Sequence, residues 1–196
     1  MTRTAKALLT AKLALAAHLA WGSAGTAGVH LTVFSPAERP SGTQTLCKAF
    51  RGACHKGHRV RQAPALDQVR VALETVNRQV NREMVPLRDP LGVGTLWSLP
   101  KDGTGDCKHY ALLKKKRLVE SGVPAEHLLL AIVVGRSSDL HAVLVSRTSA
   151  GDFVLDDLHD RLMRWDETGY TFLKMQNTRD GGRWDAILEG PRARRS

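Results

Sequence analysis

The chain has 196 residues and a mass of 21.5 kDa, with 42% hydrophobic and 24% charged residues. That is the size and composition of one folded domain, and it excludes wholesale disorder. Seventeen Gly and eight Pro, scattered along the chain, exclude a collagen-like or low-complexity protein, three Cys exclude a cysteine-rich scaffold, and a net charge of +10 admits an anionic partner without identifying one.

Arg3 and Lys6 precede a short apolar stretch, Ala7 to Trp21, which gives way to small residues from Gly22 to Gly28. This order predicts a secretory signal peptide over residues 1–27, with cleavage after Ala24 or Ala27; a helix that stays attached is the competing reading. Lys12 and His18 interrupt the run, so it falls short of the ~20 residues of a membrane span, and no transmembrane segment is expected after cleavage. Cleavage removes Arg3, Lys6 and Lys12 and leaves 26 basic against 19 acidic residues. The basic tail, residues 191–196, carries no aromatic residues, so nucleic-acid binding is not expected. The expected location is the periplasm or the exterior.

Residues 28–63 are rich in Pro, Gly and Thr and read as an extended lead-in. Cys47 and Cys54 sit in it with six residues between them. In an oxidising compartment the pair reads as a disulfide. Metal binding with His55 and His58 is the alternative, at a spacing poorly suited to zinc. Cys107 is then the odd thiol.

From Pro64 to Met84 the apolar residues Val69, Leu73, Val76, Val80 and Met84 recur every three or four positions, which predicts a helix. Asn77 and Asn81 share a face beside that stripe and are expected to hydrogen-bond loop backbone. Pro86 and Pro90 end the helix, and a loop runs through Trp97 and Pro100. Gly105-Asp106 then opens a second predicted helix, Cys107 to Ser121. Leu128–Val134 reads as a buried strand, and 141–147 with 152–156 as a hairpin turning at Ala150-Gly151. Trp165, Tyr170, Phe172 and Trp184 announce further packed structure. Helices precede strands without βαβ alternation, so the expected class is α+β, with N-terminal helices packed on an antiparallel sheet over residues 64–190.

Cys107 falls at the start of a helix, where free amides and the helix dipole favour the thiolate and help hold an oxyanion. His141 opens one strand of the hairpin and Asp156 closes the other, so antiparallel pairing brings them together. Taken singly, the three read as a small buried hydrophobe, a satisfied core histidine and a turn cap with Asp157. Taken as a set they read as nucleophile, base and orienting acid, in the order of papain-like and transglutaminase-like proteins.

Several stretches together resemble one family: Val76–Asn81, Leu96-Trp97 with Pro100, Gly103–Ala111, Leu113–Leu118 with Gly122 and Pro124, His141–Leu144, 151–158 around Leu155-Asp156, Tyr170–Leu173 with Gln176, and Trp184. They are similar to the bacterial transglutaminase-like cysteine peptidases, a group that includes periplasmic adhesin-releasing proteases of the LapG type. The resemblance implies a papain-like, transglutaminase-like fold, Cys107 as nucleophile, His141 as base, Asp156 as orienting acid, and a Cys47–Cys54 pairing. It also implies a protein substrate such as a cell-surface adhesin, and an inner-membrane receptor as regulator, although no docking signature for one stands out. Trp97 and Asp106 are candidates for lining the cleft or supporting the oxyanion, Trp97 being equally suited to the core.

The family commonly carries carboxylates directly after the nucleophile, and in calcium-dependent members these contribute to the metal site. Here Lys108 and His109 stand in those positions, so no calcium dependence and no other cofactor is expected. The two residues either add positive field near the thiolate or are solvated surface groups. The same triad also serves acyl transfer to an amine, as in a transglutaminase or amidase. A binding or scaffold protein that keeps the fold without turnover is the reading from a different class.

Overall fold

The structure, a computed structural model, describes residues 28–57, 61–87, 96–135 and 137–193. The expected signal segment, His58 and the last residues of the basic tail lie outside the described residues. In chain order the elements are β1 (Ser35–Ala37), α1 (Leu46–Ala49), α2 (Leu66–Glu83), β2 (Val85–Pro86), β3 (Thr104–Gly105), α3 (Cys107–Glu120), β4 (Leu128–Val134), β5 (Leu140–Thr148), β6 (Gly151–Asp156), β7 (His159–Arg164), β8 (Thr171–Gln176) and β9 (Trp184–Glu189). Seven strands form one antiparallel sheet in the order β1-β9-β8-β4-β5-β6-β7. The helices pack on it, α3 against β5 and α2 against β7, which is the expected α+β arrangement. No helix among the described residues is long and apolar enough to cross a membrane.

Helix α2 forms because its apolar stripe has somewhere to go: Val69, Leu73, Val76 and Val80 are all buried in the layer between helices and sheet. It stops at Met84, which is extended, two residues before Pro86, whose ring disfavours a helical Val85. Strand β4 reads as one apolar run because both of its faces are covered. Leu128, Leu130 and Ile132 face the helices, while Leu129, Ala131 and Val133 join a second core with Trp165, Tyr170 and Phe172 on the far side.

The Pro- and Gly-rich lead-in does more than lead in. It supplies β1, paired with β9, and it buries Leu31, Leu46 and Ala53. The expected extended lead-in also contains the short helix α1, and Cys47 and Cys54 are joined as a disulfide, so their sulfurs face each other rather than a metal. Strand β7 is an edge strand with exposed charged residues, a pattern that hides it from any search for alternation.

Helix α3 is central and buried along much of its surface, including Lys108, Lys114 and Lys115. The Lys115 ammonium donates to the Ala53 carbonyl (2.9 Å) and to Gln176 Oε1 (2.8 Å), while Gln176 Nε2 donates to Ala53 and Gly181. This knot ties α3 to the disulfide loop and to β8. Burial pushes the Lys115 ammonium down to about 7 from its ordinary 10.5. Between those pH values the unfolded chain binds the extra proton, so this group makes stability rise with pH. Wild-type protein is therefore expected to gain on Lys115→Met by roughly 1 kcal/mol per pH unit as pH climbs from 7 towards 10, measured by urea melts. Parallel pH dependences in the two proteins would refute the assignment.

Candidate active site

The site is built where α3 begins and where β5 and β6 meet at one end of the sheet. A parallel two-residue pairing of β2 with β3 delivers the chain into Asp106. The Asp106 carboxylate caps α3, accepting from the Lys108 amide (3.0 Å) and the His109 amide (3.4 Å). Lys108 Nζ lies 2.7 Å from its Oδ2 and His109 Nδ1 lies 2.9 Å from its Oδ1. Burial opposes the charge on Asp106, but these partners outweigh it and hold the carboxyl well below the usual range. Gly105 is required here: a Cβ on it would meet His109 Cβ at 2.5 Å and Cγ at 2.8 Å.

Two expectations change at this point. Lys108 is not a solvated surface residue; its side chain is fully buried against Asp106. Asp106 offers no support to an oxyanion directly, since it is an ionised acceptor whose work is to start the helix. It also occupies the Lys108 and His109 amides, which leaves the Cys107 N–H as the amide of this first turn available to a developing oxyanion.

Cys107 is the first residue of α3 and is partly exposed. It is in hydrogen-bonding contact with His141. The His141 ring turns Nε2 towards β6, 2.8 Å from Asp156 Oδ1, so Nδ1 is the nitrogen left for the thiol. Burial works against an imidazolium, but the Asp156 and Asp157 carboxylates and the contact with Cys107 outweigh it and His141 is pushed up to about 12. The structure thus brings together the three residues singled out from the sequence. Trp97 is elsewhere: it is 1% exposed, packed edge-on against Trp184 (ring centroids 5.9 Å apart), and belongs to the core rather than the cleft.

Sequence reasoning missed most of what surrounds Asp156. Its Oδ2 accepts from the Tyr170 hydroxyl and from His159 Nδ1 (3.0 Å), and its Oδ1 also accepts from the Leu158 amide (3.1 Å). Burial again opposes the charge, and His141 followed by Tyr170 and His159 overcomes it, so the Asp156 carboxyl is held well below its ordinary value. Asn77 and Asn81, expected to bind loop backbone, do so at the turn that carries this aspartate. Asn77 Nδ2 donates to the His159 and Asp160 carbonyls, and Asn81 Nδ2 to the Asp156 carbonyl (3.0 Å) and to Asp160 Oδ1 (2.9 Å).

A thiol on a helix N-terminus, an imidazole on one strand and a carboxylate on the next, over an antiparallel sheet, define a transglutaminase-like cysteine peptidase arrangement. The chain belongs to the bacterial transglutaminase-like cysteine proteinases, whose family model matches residues 33–192. Among solved structures, calcium-bound LapG of Legionella pneumophila is 20% identical with a TM-score of 0.52, covering 65% of this chain and 74% of that one, a likeness of fold. A second structure of Legionella pneumophila LapG is 26% identical with a TM-score of 0.48, and an EGTA-treated one 23% identical with 0.46. Each of those two covers 56% of this chain, which spans 64% and 63% of their respective lengths. No curated protein matches the chain.

Two substitutions probe this geometry. Tyr170→Phe removes one donor from a buried carboxylate, and a loss of about 1–3 kcal/mol of stability is expected, read as a lower thermal midpoint. Gly105→Ala is expected to drive His109 off Asp106 and slow Cys107 alkylation severalfold with far-UV circular dichroism unchanged; an unaltered rate would show that the cap does not position the thiol.

Proposed function

We propose that the chain is an exported cysteine peptidase that cleaves a protein substrate through a thioester on Cys107. The contact chain Cys107–His141–Asp156, with the thiol at the N-terminus of α3 and still accessible, carries this reading. An imidazole pushed up to about 12 takes the thiol proton and holds it as imidazolium beside the thiolate. The thiolate adds to the peptide carbonyl, and the oxyanion meets the Cys107 amide and the positive end of α3. His141 gives its proton to the departing amine. Water then attacks the thioester while His141 accepts its proton, and the thiol is restored. Asp156 keeps its charge throughout and holds the ring by Nε2.

Exposed Val85 and Leu87 hydrogen-bond through their backbone to Gly103 and Gly105, just ahead of Cys107, and exposed Leu140 and Leu158 lie within two residues of His141 and Asp156 along the chain. An extended peptide with apolar side chains covers such a rim better than a small polar metabolite. A surface protein of the adhesin kind suits it, as the family resemblance implies. The Cys47–Cys54 disulfide supports an oxidising, periplasmic or extracellular setting.

Calcium is bound in one of the LapG structures, but the residues beside Cys107 do not fit it. The Asp106 carboxylate is already taken up by a buried ammonium and by His109, and an ammonium repels a divalent cation. Among the described residues the cluster with ligand spacing is His141, Asp156 and Asp157, where Nε2 already binds the carboxylates. The proposed activity is therefore independent of calcium.

The test is to incubate mature protein with surface proteins released from intact cells and to sequence the new N-termini. Cleavage is expected with wild type, with and without EGTA, and is absent in Cys107→Ala and His141→Ala. Indistinguishable product patterns from all three proteins would overturn the peptidase reading, and loss of cleavage in EGTA would overturn the calcium-free one.

A further inference from the structure

We infer that Asp157 is a second positioning residue for the His141 ring, with the buried Lys114 ammonium as its counter-ion. This rests on the catalytic reading above and concerns two residues which that mechanism does not use.

Asp157 Oδ1 lies 3.3 Å from His141 Nε2, the same nitrogen that Asp156 Oδ1 meets at 2.8 Å. The two carboxylates are not equivalent. Asp156 is fully engaged, with His141, the Leu158 amide, Tyr170 and His159 all donating to it. Asp157 Oδ1 is buried and has no hydrogen-bond donor, because the Nε2 proton points along the shorter line to Asp156. Its contact with the ring is an ion pair off the hydrogen-bond axis. Such a contact does little to fix the tautomer, but it raises the energy of removing the ring proton.

A second carboxylate in a buried pocket needs compensation, and α3 supplies it. Lys114 is fully buried, and its Nζ has no hydrogen-bond acceptor. It sits 5.8 Å from the centroid of the Tyr110 ring, and the carboxylates that favour its charge are Asp157, then Asp156 and Asp160. A buried ammonium without an acceptor is costly, and a ring of carboxylates is what makes it tolerable. Burial lowers Lys114 to about 8, with the three carboxylates pulling the other way. The charged and titratable groups around His141 are thus Cys107 and Lys114 from α3, Asp156 and Asp157 from β6 and its turn, His159 and Asp160 from β7, and the Tyr170 hydroxyl leading into β8.

The arrangement sets how tightly the imidazolium holds its proton. Asp157 tightens the hold and Lys114 relaxes it, so the ring stays charged beside the thiolate yet remains able to protonate a leaving amine.

The test is the pH profile of Cys107 alkylation by iodoacetamide in the mature chain, paired with NMR titration of isotope-labelled histidine. Asp157→Asn is expected to move the His141 titration down by about one pH unit or more, Lys114→Met to be more destabilising at pH 7 in the wild-type background than in Asp157→Asn, and Asp156→Asn to leave a residual His141-dependent rate that Asp156→Asn/Asp157→Asn loses. Melting curves run alongside, and Asp157→Ser serves as the second variant if the amide disturbs the turn. A wild-type His141 titration in Asp157→Asn and Asp157→Ser overturns the positioning role, and an equal effect of Lys114→Met on the melting curves of both backgrounds at pH 7 overturns the counter-ion. If wild-type Cys107 alkylates as it does in His141→Ala, the catalytic reading itself has failed and this inference falls with it.

Discussion

The Asp156 carboxylate is the interaction on which the proposed catalytic end of the molecule depends. A buried ionised carboxylate is stable only if its oxygens are fully engaged, and here that requirement recruits four elements at once. β5 sends His141, β7 sends His159, the chain entering β8 sends Tyr170, and the β6–β7 turn sends the Leu158 amide. Helix α2 then fixes the turn from outside through Asn77 and Asn81. The orientation of the imidazole is therefore a property of the whole sheet end rather than of one side-chain pair.

The other half of the site is solved with charges internal to the first turn of α3. Asp106 starts the helix, and a carboxylate next to a nucleophilic thiol would by itself disfavour the thiolate. Lys108 offsets that charge from two residues on, and His109 meets the same carboxylate from three residues on, within the turn that the aspartate nucleates. The chain thus carries its own cation beside the proposed nucleophile, and Gly105 leaves the space for His109 to fold back.

Much of this was legible from the sequence, for reasons that can be named. The α2 stripe, the doubly buried β4 and the β5–β6 hairpin all follow from apolar spacing, and Gly105-Asp106 marks the start of α3. Antiparallel pairing of that hairpin is enough to bring His141 to Asp156. What escaped notice obeys long-range logic. Tyr170 and His159 reach Asp156 from strands whose pairing the sequence does not display, β7 being a charged edge. Lys114 and Lys115 look like a solvated run, although with Ala111 and Leu118 they fall on the inward side of α3, so their spacing held a signal that their charge masked. β1 hid in a segment whose composition reads as loop. Trp97 could not be assigned to cleft or core until Trp184 was seen against it.

The disulfide has a consequence for how the chain comes to hold one usable thiol. An accessible, activated cysteine in an oxidising compartment is also the most willing partner for a wrong crosslink. Cys47 and Cys54 are seven positions apart, whereas Cys107 lies far along the chain, and short loops close at lower entropic cost than long ones. The local pair therefore closes ahead of any bridge to Cys107. Ala53, inside that small ring, then presents its carbonyl to Lys115 on the helix that Cys107 begins. Oxidation in that order would spare the proposed nucleophile and help seat the helix that carries it.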